Sequence, residues 1–468
     1  MNKVWYINNN YIARFRVQII IIKMRILKLS LLIIANIITI SLFAEGYQIN
    51  SQSARQTGMG HLGTGLKLGA ESMLFNPAGL TSIQGKYQIS AGVTPIFSKV
   101  TFEKDGYKTQ TDNSPGTPIF GYFGYKPTDR LALGISITNP AGNSLTWPDD
   151  WAGAHHVQNI SLAAFSIQPT IAYQISEKLS VGAGLMVNFG NFEINRAITP
   201  IGALNPIGNM MPNLKPIIDQ FAHLPSVTAQ IEGKAGLTTG FNLGIMYSPN
   251  EKLTIGLSYR SKVKMSVKEG ETSLEYVSPQ IKQVIEAVNT AAPGTIRIPD
   301  IDGKSFKSSL PVPSNLNLGA SYRSSSRLLL AAELQYVGWK AYDKLIIDFG
   351  NDIKLVSIKN FKNTMIYRAG AEYLVSEKFI VRAGVIYDTT PVDMTYYHPE
   401  TPGANKFSAT TGFTYNISSK VAFDFGFQAL FGEKVSGTAP ETFNPALTFG
   451  GKYRSTALIP SFGLNFNL

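Results

Sequence analysis

The chain of 468 residues contains no cysteine. Disulfide bonds, thiolate metal sites and a cysteine nucleophile are therefore excluded, and so is the acylated cysteine of a lipoprotein. Beyond residue 44, no apolar run reaches the roughly 20 residues that a membrane-spanning helix needs. If this part of the chain enters a bilayer, it must do so as a closed barrel, in which strand-to-strand hydrogen bonds leave no edge unsatisfied.

Acidic residues are absent from the first 44 positions, which hold six basic residues and an apolar stretch over residues 29–43. A cationic start, a short apolar core and Ala44 predict a secretory signal peptide over residues 1–44, with Met24 as an alternative translation start. A single membrane anchor is the alternative interpretation. The whole chain has a net charge of +11, but the 424 residues after the leader carry only 36 basic and 31 acidic side chains. With no dense basic stripe left, the sequence predicts no nucleic-acid partner.

Motifs for catalysis are also lacking. The five histidines lie in no recognisable nucleophile motif, and Gly58-x-Gly60 has neither the strand before it nor the helix after it that a phosphate-binding loop requires. His155 and His156 are adjacent in a predicted loop, where a surface pair is a commoner arrangement than a metal site. The sequence therefore predicts no enzyme, no cofactor and no metal centre. An outer-membrane lipase is the enzymatic alternative.

Strict alternation of apolar and polar residues is what the chain does have. The last strand is the clearest case, with apolar side chains at Leu458, Phe462, Leu464, Phe466 and Leu468 and small or polar ones between them. A period of two with one apolar face is typical of a barrel strand that has lipid on one side and a hydrated interior on the other. Counting such segments predicts an all-β fold, a transmembrane antiparallel barrel of about 14 strands over residues 86–468.

Short and long connections alternate along this region. The short ones lie at residues 126–129, 176–178, 248–251, 376–378 and 416–420. Short turns on one side and long loops on the other are typical of outer-membrane barrels. Two long connections, near residues 201–234 and 278–292, contain apolar residues at helical spacing and predict helical insertions on the extracellular side. These helices could form a landing surface for an apolar ligand or could cap the barrel, and the two roles are compatible.

Residues 45–85 precede the first clear strand and are rich in glycine, serine and alanine. Such a segment is too short and too poor in large apolar residues to fold alone, so we expect it to fold as a hatch inside the barrel. It resembles the N-terminal hatch of the FadL/TodX family of outer-membrane transporters for hydrophobic compounds. The resemblance rests on Gly46-Tyr47-Gln48-Ile49-Asn50, on Gly58 and Gly60, and on the motif Asn76, Pro77 and Ala78. Beyond the hatch it extends over most of the chain.

The resemblance implies the positions of several site residues. In the family the third strand is kinked inward, and the matching residues here are Asn139, Pro140, Ala141 and Gly142. Proline lacks the N–H that a ladder needs, so a break or bulge is expected there independently; the alternative is that the strand simply ends. The family also holds a carboxylate with basic side chains. Arg196 matches one of these, and the second falls at Lys354 or Lys359. Tyr47 matches an aromatic residue that occupies the ligand pocket.

The function that the resemblance implies is passive uptake of hydrophobic compounds, foremost long-chain fatty acids, by ligand-gated lateral diffusion through a gap in the barrel wall. Uptake of aromatic hydrocarbons and a general porin are the alternatives. The expected location is the outer membrane of a Gram-negative bacterium. The expected partners are an apolar small molecule, outer-membrane lipid and lipopolysaccharide, and the barrel-assembly machinery, with the chain acting as a monomer.

Overall fold

The computed structural model describes residues 46–440 and 448–468. The predicted signal peptide and its alternative start at Met24 lie outside these residues. No helix in the described ranges has the length and apolar character needed to cross a membrane.

Strands dominate the described residues. In chain order they are β1 Tyr87–Val93, β2 Phe97–Lys104, β3 Tyr107–Gln110, β4 Ile119–Tyr125, β5 Leu131–Thr146, β6 Asn159–Ser176, β7 Leu179–Ala197, β8 Val227–Tyr247, β9 Leu253–Arg260, β10 Val263–Tyr276, β11 Phe306–Val312, β12 Asn315–Arg323, β13 Leu328–Val337, β14 Lys344–Asp348, β15 Lys354–Ile358, β16 Thr364–Ser376, β17 Phe379–Asp388, β18 Lys406–Asn416, β19 Val421–Gly432, β20 Val435–Pro440 and β21 Thr448–Asn467.

Helices are few and short. The α-helices of the described residues are α1 Ala54–Thr57, α2 Ser72–Phe75, α3 Asn205–Met210, α4 Lys215–Phe221 and α5 Pro279–Ala291, and short 3₁₀ helices cover Gly69–Glu71, Pro77–Ser82, Trp339–Ala341 and Met394–Tyr396.

The strands form one closed antiparallel barrel of fourteen wall positions, as the alternation predicts. Going round the wall, these are β1, β4, β5, β6, β7, β8, β9, β12, β13, β16, β17, β18, β19 and β21, and β21 pairs again with β1. The seam is closed to the last residue, because the backbone N–H groups of Lys86 and Tyr87 both donate to the Leu468 carbonyl at 2.9 Å. Closure removes the free edges that an open sheet would leave unsatisfied in lipid.

The polarity of the barrel is inverted relative to a water-soluble protein. On β8, Leu243, Ile245 and Tyr247 are 45–47% exposed, whereas Asn242 on the same strand is 1% exposed. The last strand behaves as its sequence predicts, with Leu458 and Leu464 exposed and Ser461 buried. Apolar side chains thus face outward and polar ones inward, which is the arrangement of a barrel surrounded by lipid.

Helical insertions occur where the sequence predicts them, with one correction. Residues 201–234 are not all insertion, because β8 already begins at Val227. The insertion is shorter than predicted because β8 is 21 residues long and its first residues occupy the end of the predicted range. In α5 the four apolar residues at helical spacing, Ile281, Val284, Ile285 and Val288, are all buried. Because these residues are packed, they support the role of α5 as a cap on the barrel. Only the exposed face of α5 is left to act as a landing surface for a ligand.

Candidate functional site

The hatch segment, which we define as residues 46–85, lies against the inward side of the strands. Glu333 on β13 accepts hydrogen bonds from the backbone N–H groups of Gly63 and Thr64 at 3.1 and 2.8 Å, and Arg368 holds the same carboxylate at 2.9 Å. Arg55 on α1 pairs with Glu372 at 3.0 Å. Buried carboxylates are stable only when they are paired and hydrogen-bonded, so these contacts fix both the hatch segment and the wall.

The motif Asn76, Pro77 and Ala78 makes a tight contact with three wall strands. Asn76 caps the following 3₁₀ helix by accepting from the Ala78 N–H at 3.2 Å, and its amide donates to the Ile245 carbonyl at 3.0 Å. A side chain at Gly244 would collide with the Asn76 amide oxygen, and one at Gly182 would collide with the Pro77 backbone. Glycine on the wall strands is therefore what allows this motif to approach so closely.

The first residues of the hatch segment, 46–52, bind to the middle of β5. Gln48 forms a bridge with Ala141, the Ile49 N–H donates to the Pro140 carbonyl at 3.2 Å, and the Gly142 N–H donates to the Tyr47 carbonyl at 2.9 Å. Residues 47–49 thus take the place that β4 would occupy beside residues 140–142 of β5, which the sequence singles out.

The strand β5 does not end at Pro140; it bulges there and continues to Thr146. Its register on β6 shifts between Thr138 and Ala141. On the other side, the pairing with β4 stops at Gly121 and Ile137. Beyond that point the ladder is replaced by side chains, as Asn139 accepts from the Ile119 N–H at 2.9 Å and donates to the Ala164 carbonyl at 3.0 Å.

A cavity of about 680 Å³ lies beside this bulge. Its walls come from the first residues of the hatch segment, from β5 beyond the bulge, from the start of β4 and from the inward sides of β18, β19 and β21. Its apolar lining residues include Tyr47, Ile49, Ile96, Ile119, Ala141 and Leu145. A second cavity of about 70 Å³ is lined almost wholly by apolar side chains, among them Leu162, Phe192, Ile194, Met265 and Leu310. Apolar cavities with a few convergent polar groups are the usual form of a small-molecule site.

Tyr47 lies at the boundary between the two cavities, since it is one of four residues that line both. Its ring makes edge contacts with Trp339 and Tyr342, with centroids 4.9 and 5.4 Å away, and its hydroxyl donates to the Pro311 carbonyl. Its backbone carbonyl also accepts from the Gly142 N–H, so the residue is tied to β5, while its side chain is held by aromatic contacts and one hydrogen bond.

Arg196 and Lys359 belong to one buried group of charges, whereas Lys354 does not. Arg196 is 7% exposed and donates to the His155 carbonyl at 2.8 Å. Lys359 is fully buried and pairs with Glu400 at 2.5 Å. Glu400 also lines the apolar cavity, and its charge acts on Arg196. The structure places Lys354 on β15, where its half-exposed side chain pairs with Asp348 at 3.2 Å.

Glu400 and three histidines complete this charge cluster, which we define as Arg196, Lys359, Glu400, His155, His156 and His398. Burial alone would raise the pKa of Glu400, but Lys359 and His398 outweigh it and hold that pKa at about 2. Burial lowers the pKa of His155 and His398 to about 4, assisted by Arg196 and Lys359 respectively. The histidines are therefore neutral near pH 7, and the cluster carries one net positive charge.

Sequence reasoning missed Glu400 and His398 because the residues that meet them are distant along the chain. Their loop, residues 389–405, carries no periodic pattern, and Lys359 is 41 positions away. The adjacent histidines 155 and 156 were interpreted as a surface pair, and this is wrong, because they are 6% and 2% exposed. Within the described residues, no three His, Asp or Glu side chains are placed to hold a metal ion.

A closed barrel with apolar residues outside, polar residues inside and apolar cavities near its wall defines the class: an outer-membrane transport barrel. The comparisons with known proteins agree. Residues 35–468 match the family described as "Outer membrane protein transport protein (OMPP1/FadL/TodX)". The chain belongs to this family, and is therefore an outer-membrane protein of the Gram-negative type.

Individual relatives are distant but extend over most of the chain. Outer membrane protein P1 of Haemophilus influenzae is 25% identical over 78% of this chain and 78% of its own length. The long-chain fatty acid transport protein of Salmonella typhi is 23% identical over 87% of this chain and 92% of its own.

Solved structures share the fold. A FadL homologue of Pseudomonas aeruginosa superposes with a TM-score of 0.74 at 18% identity, covering 90% of this chain and 100% of that one. The toluene transporter TodX of Pseudomonas putida gives 0.67 at 16% identity, covering 91% and 100%. Members of this family are thus named as transporters for both fatty acids and aromatic hydrocarbons, and the family is one of transport proteins rather than enzymes.

Proposed function

We propose that this protein takes up long-chain fatty acids passively and releases them sideways through the barrel wall. The observation that carries the proposal is the position of Tyr47 between two cavities, one ending at the charge cluster and the other at the β5 bulge. A ligand that passes from the charge cluster to the bulge meets this residue at the boundary between the two cavities.

The charge cluster suits a carboxylate head group. With one net positive charge, it becomes neutral when a fatty-acid carboxylate enters. Charge-assisted hydrogen bonds from a guanidinium or ammonium group to a carboxylate are about twice as strong as neutral ones, which supports roles for Arg196 and Lys359 in head-group binding. The exposed Lys354 has no such role in this proposal.

The alkyl chain supplies most of the driving force. Each CH₂ group taken out of water contributes about 0.8 kcal/mol, and the smaller cavity offers an apolar lining for it. Only a ligand that binds the two positions of Tyr47 with different free energies can shift the balance between them. A long chain overfills about 70 Å³ and so competes with the Tyr47 ring for space.

The exit proposed here lies at Asn139, Pro140, Ala141 and Gly142. Support comes from the loss of β4–β5 pairing beyond Ile137 and from the cavity on the inner side of the bulge. A lateral route keeps an apolar solute out of water, whereas a route down the lumen would forfeit the free energy gained by burial. The hatch segment acts in this scheme as a plug that closes the lumen.

Aromatic hydrocarbon uptake is a second candidate, and the apolar lining of the smaller cavity favours it. A benzene-sized solute needs no carboxylate partner. A general porin is less compatible with a hatch segment that is bound to the inner wall at Glu372 and Glu333. We also propose that the protein works as a monomer among outer-membrane lipid and lipopolysaccharide, and that the barrel-assembly machinery inserts it.

Uptake of radiolabelled palmitate and toluene by cells without their own carrier tests this proposal. In Arg196→Ala, we expect palmitate uptake to fall by about tenfold or more, since a buried charge-assisted bond is lost, and toluene uptake to change little. Lys354→Ala is the matched control and should leave both rates unchanged. Equal losses of palmitate and toluene uptake in Arg196→Ala would contradict head-group recognition. Mass spectrometry of lipids that co-purify with the protein would identify the ligand directly.

A further inference from the structure

The wall has a second interruption, between β8 and the strand formed by β9 and β10. Below it, Asn242 stands opposite Arg260, and above it Ala235 stands opposite Val267. These two pairs belong to the same register. Between them, residues 236–240 of β8 and residues 262–266 of the neighbouring strand have no ladder partner across the seam. On their other edges both stretches are paired, β8 with β7 and β10 with β11. We name this interruption the β8–β10 gap.

The gap arises because the inward and outward alternation of side chains changes at different levels on the two strands. On β8, Phe241 and Leu237 point outward, being 45% and 77% exposed, but Ala235 lines the inner apolar cavity. The direction therefore changes near Gly236, where the β7–β8 register also shifts. On the neighbouring strand the change comes earlier, between the outward Tyr259 and the buried Val263. Residues level with each other in the gap thus face opposite sides, which a regular ladder cannot accommodate.

The inner side of the gap opens onto the apolar cavity. Gly190, Ala235, Met265 and Val267 line that cavity, and three of them belong to the strands that flank the gap. What closes the wall here is a set of flexible side chains. A side chain at Gly240 would collide with the methyl groups of Met186 and Val263, which shows that these groups fill the place of the missing ladder. Methionine has three rotatable bonds and can move aside at low cost.

The outer side of the gap itself is cationic, because Lys262 and Lys264 are exposed there. Farther along the two strands the exposed charges are mixed and comprise Lys234, Lys268, Glu232, Glu269 and Glu271. A lysine on the outer face of a barrel costs about 2–4 kcal/mol at the bilayer centre but little near the interface. The rings of Phe241 and Tyr259, 5.9 Å apart, lie next to the gap on the side of the short turns, as in an aromatic girdle. The gap therefore lies at the level of the lipid head groups.

We propose that the β8–β10 gap is a side inlet, through which single-chain amphiphiles with an acidic head group pass from the outer leaflet into the apolar cavity. The inference rests on the proposed function, since it supplies the route by which the ligand reaches the cavity. Lys262 and Lys264 attract the acidic head group, and the alkyl chain displaces Met265 and Met186. The ligand then meets Tyr47 from the side opposite the β5 bulge.

A reversible staple across the gap tests the inlet. Because the chain has no native cysteine, the double variant Thr239→Cys/Lys262→Cys can be bridged selectively by bis-thiosulfonate linkers of graded length. Closing the bridge should reduce palmitate uptake by about tenfold or more, and cleaving it with a thiol should restore uptake. The matched control is Leu257→Cys/Leu318→Cys, two outward residues that face each other on the intact β9–β12 ladder. Each single variant shows the effect of its substitution alone.

The outcomes separate the inlet from the proposed function. Palmitate binding by the purified, unstapled protein reports on the charge cluster and cavity, and its absence would overturn the proposed function. Normal binding together with full uptake through the stapled protein would overturn the inlet alone. So would an equal loss in the β9–β12 control. If no linker length bridges the pair, the two strands do not flank one gap, and the inlet is refuted.

Discussion

Arg196, Lys359 and Glu400 show how much of the proposed specificity depends on single buried charges. Removing one member of a buried ion pair leaves its partner uncompensated, which is costlier than removing both. Lys359 is fully buried and its ammonium group meets Glu400 at 2.5 Å, so the carboxylate of Glu400 occupies a position that a ligand carboxylate would compete for. Exchange of one carboxylate for another is a low-cost way to bind an acid.

Replacing Glu400 with glutamine should therefore strengthen the binding of acids. The variant removes the internal carboxylate and raises the net charge of the cluster by one, so we expect palmitate affinity to rise by about tenfold, equivalent to roughly 1.4 kcal/mol. Fluorescence competition on the detergent-purified protein measures this. Asp300→Asn, at an exposed pair with Lys304, is the control and should have no effect. Weaker palmitate binding in Glu400→Gln would mean that Glu400 orients Lys359 rather than competing with the ligand.

The buried histidines make the loops around the cluster sensitive to pH. The pKa values of His155 and His398 lie at about 4, below the ordinary value of 6.5. Between these values the unfolded loops bind protons that the folded loops do not, so their stability falls as pH decreases from about 6.5 to about 4. The facing charges are those of Arg196, Lys359 and Glu400.

We expect protease cleavage of these loops to accelerate between pH 7 and pH 5, with a stability loss of about 2 kcal/mol per histidine. His398→Gln should weaken this pH dependence, because it removes a group that titrates. The glutamine amide can still donate to the Ile358 carbonyl, which His398 contacts at 2.9 Å, so the loop should keep its structure. His223→Gln, at an exposed position, should leave it unchanged. A cleavage rate in His398→Gln with the wild-type pH profile would exclude His398 as its source.

At the scale of elements, the hatch segment is held by matched close approaches to wall glycines. A Cβ atom at Gly256 would lie 1.8 Å from the Thr64 carbonyl oxygen, and one at Gly65 would lie 2.7 Å from the Gly319 backbone. These contacts involve backbone atoms, which cannot rotate away. The wall strands and the hatch segment are therefore fitted to each other, and a change on either must displace the other.

Gly256→Ala should loosen the hatch segment without opening the barrel. We expect a loss of about 1–3 kcal/mol in thermal stability in detergent, as overpacking usually costs, together with faster proteolysis within residues 46–85. Gly236→Ala is the matched control, because no atom lies within 4 Å of the position that its Cβ would take. Equal stability of both variants would contradict the tight fit.

The same elements show what the sequence could predict and what it could not. Alternation in β21 and in similar segments predicts the barrel, its inverted polarity and about fourteen strands, because each lipid-facing residue must be apolar. Pro140 predicts the break in β5 for a local reason, the missing N–H. The meeting of Lys359 with Glu400, the role of Gly256 and the β8–β10 gap depend on residues far apart in the chain. No local pattern encodes those.

For the whole molecule, a hatch segment inside the barrel predicts electrical silence. Arg55 of the hatch segment pairs with Glu372, and the backbone N–H groups of Gly63 and Thr64 donate to Glu333, so the hatch segment is bound to the inward side of two wall strands. In planar bilayers the wild-type protein should carry far less ion current than an open porin. Deletion of residues 46–85 should produce steady channels. A large, steady wild-type current would contradict the plug and favour the porin alternative.

A ligand that leaves sideways needs the β5 bulge, so removal of the bulge is the sharpest test of the proposed exit. Between Thr138 and Ala141, β5 has one residue more than β6 has opposite it, so deleting Pro140 restores a regular ladder. If the ligand leaves here, this variant should still fold and bind palmitate, but palmitate uptake should fall to the background of cells without a carrier. Palmitate uptake at the wild-type rate by this variant would overturn the proposed lateral exit.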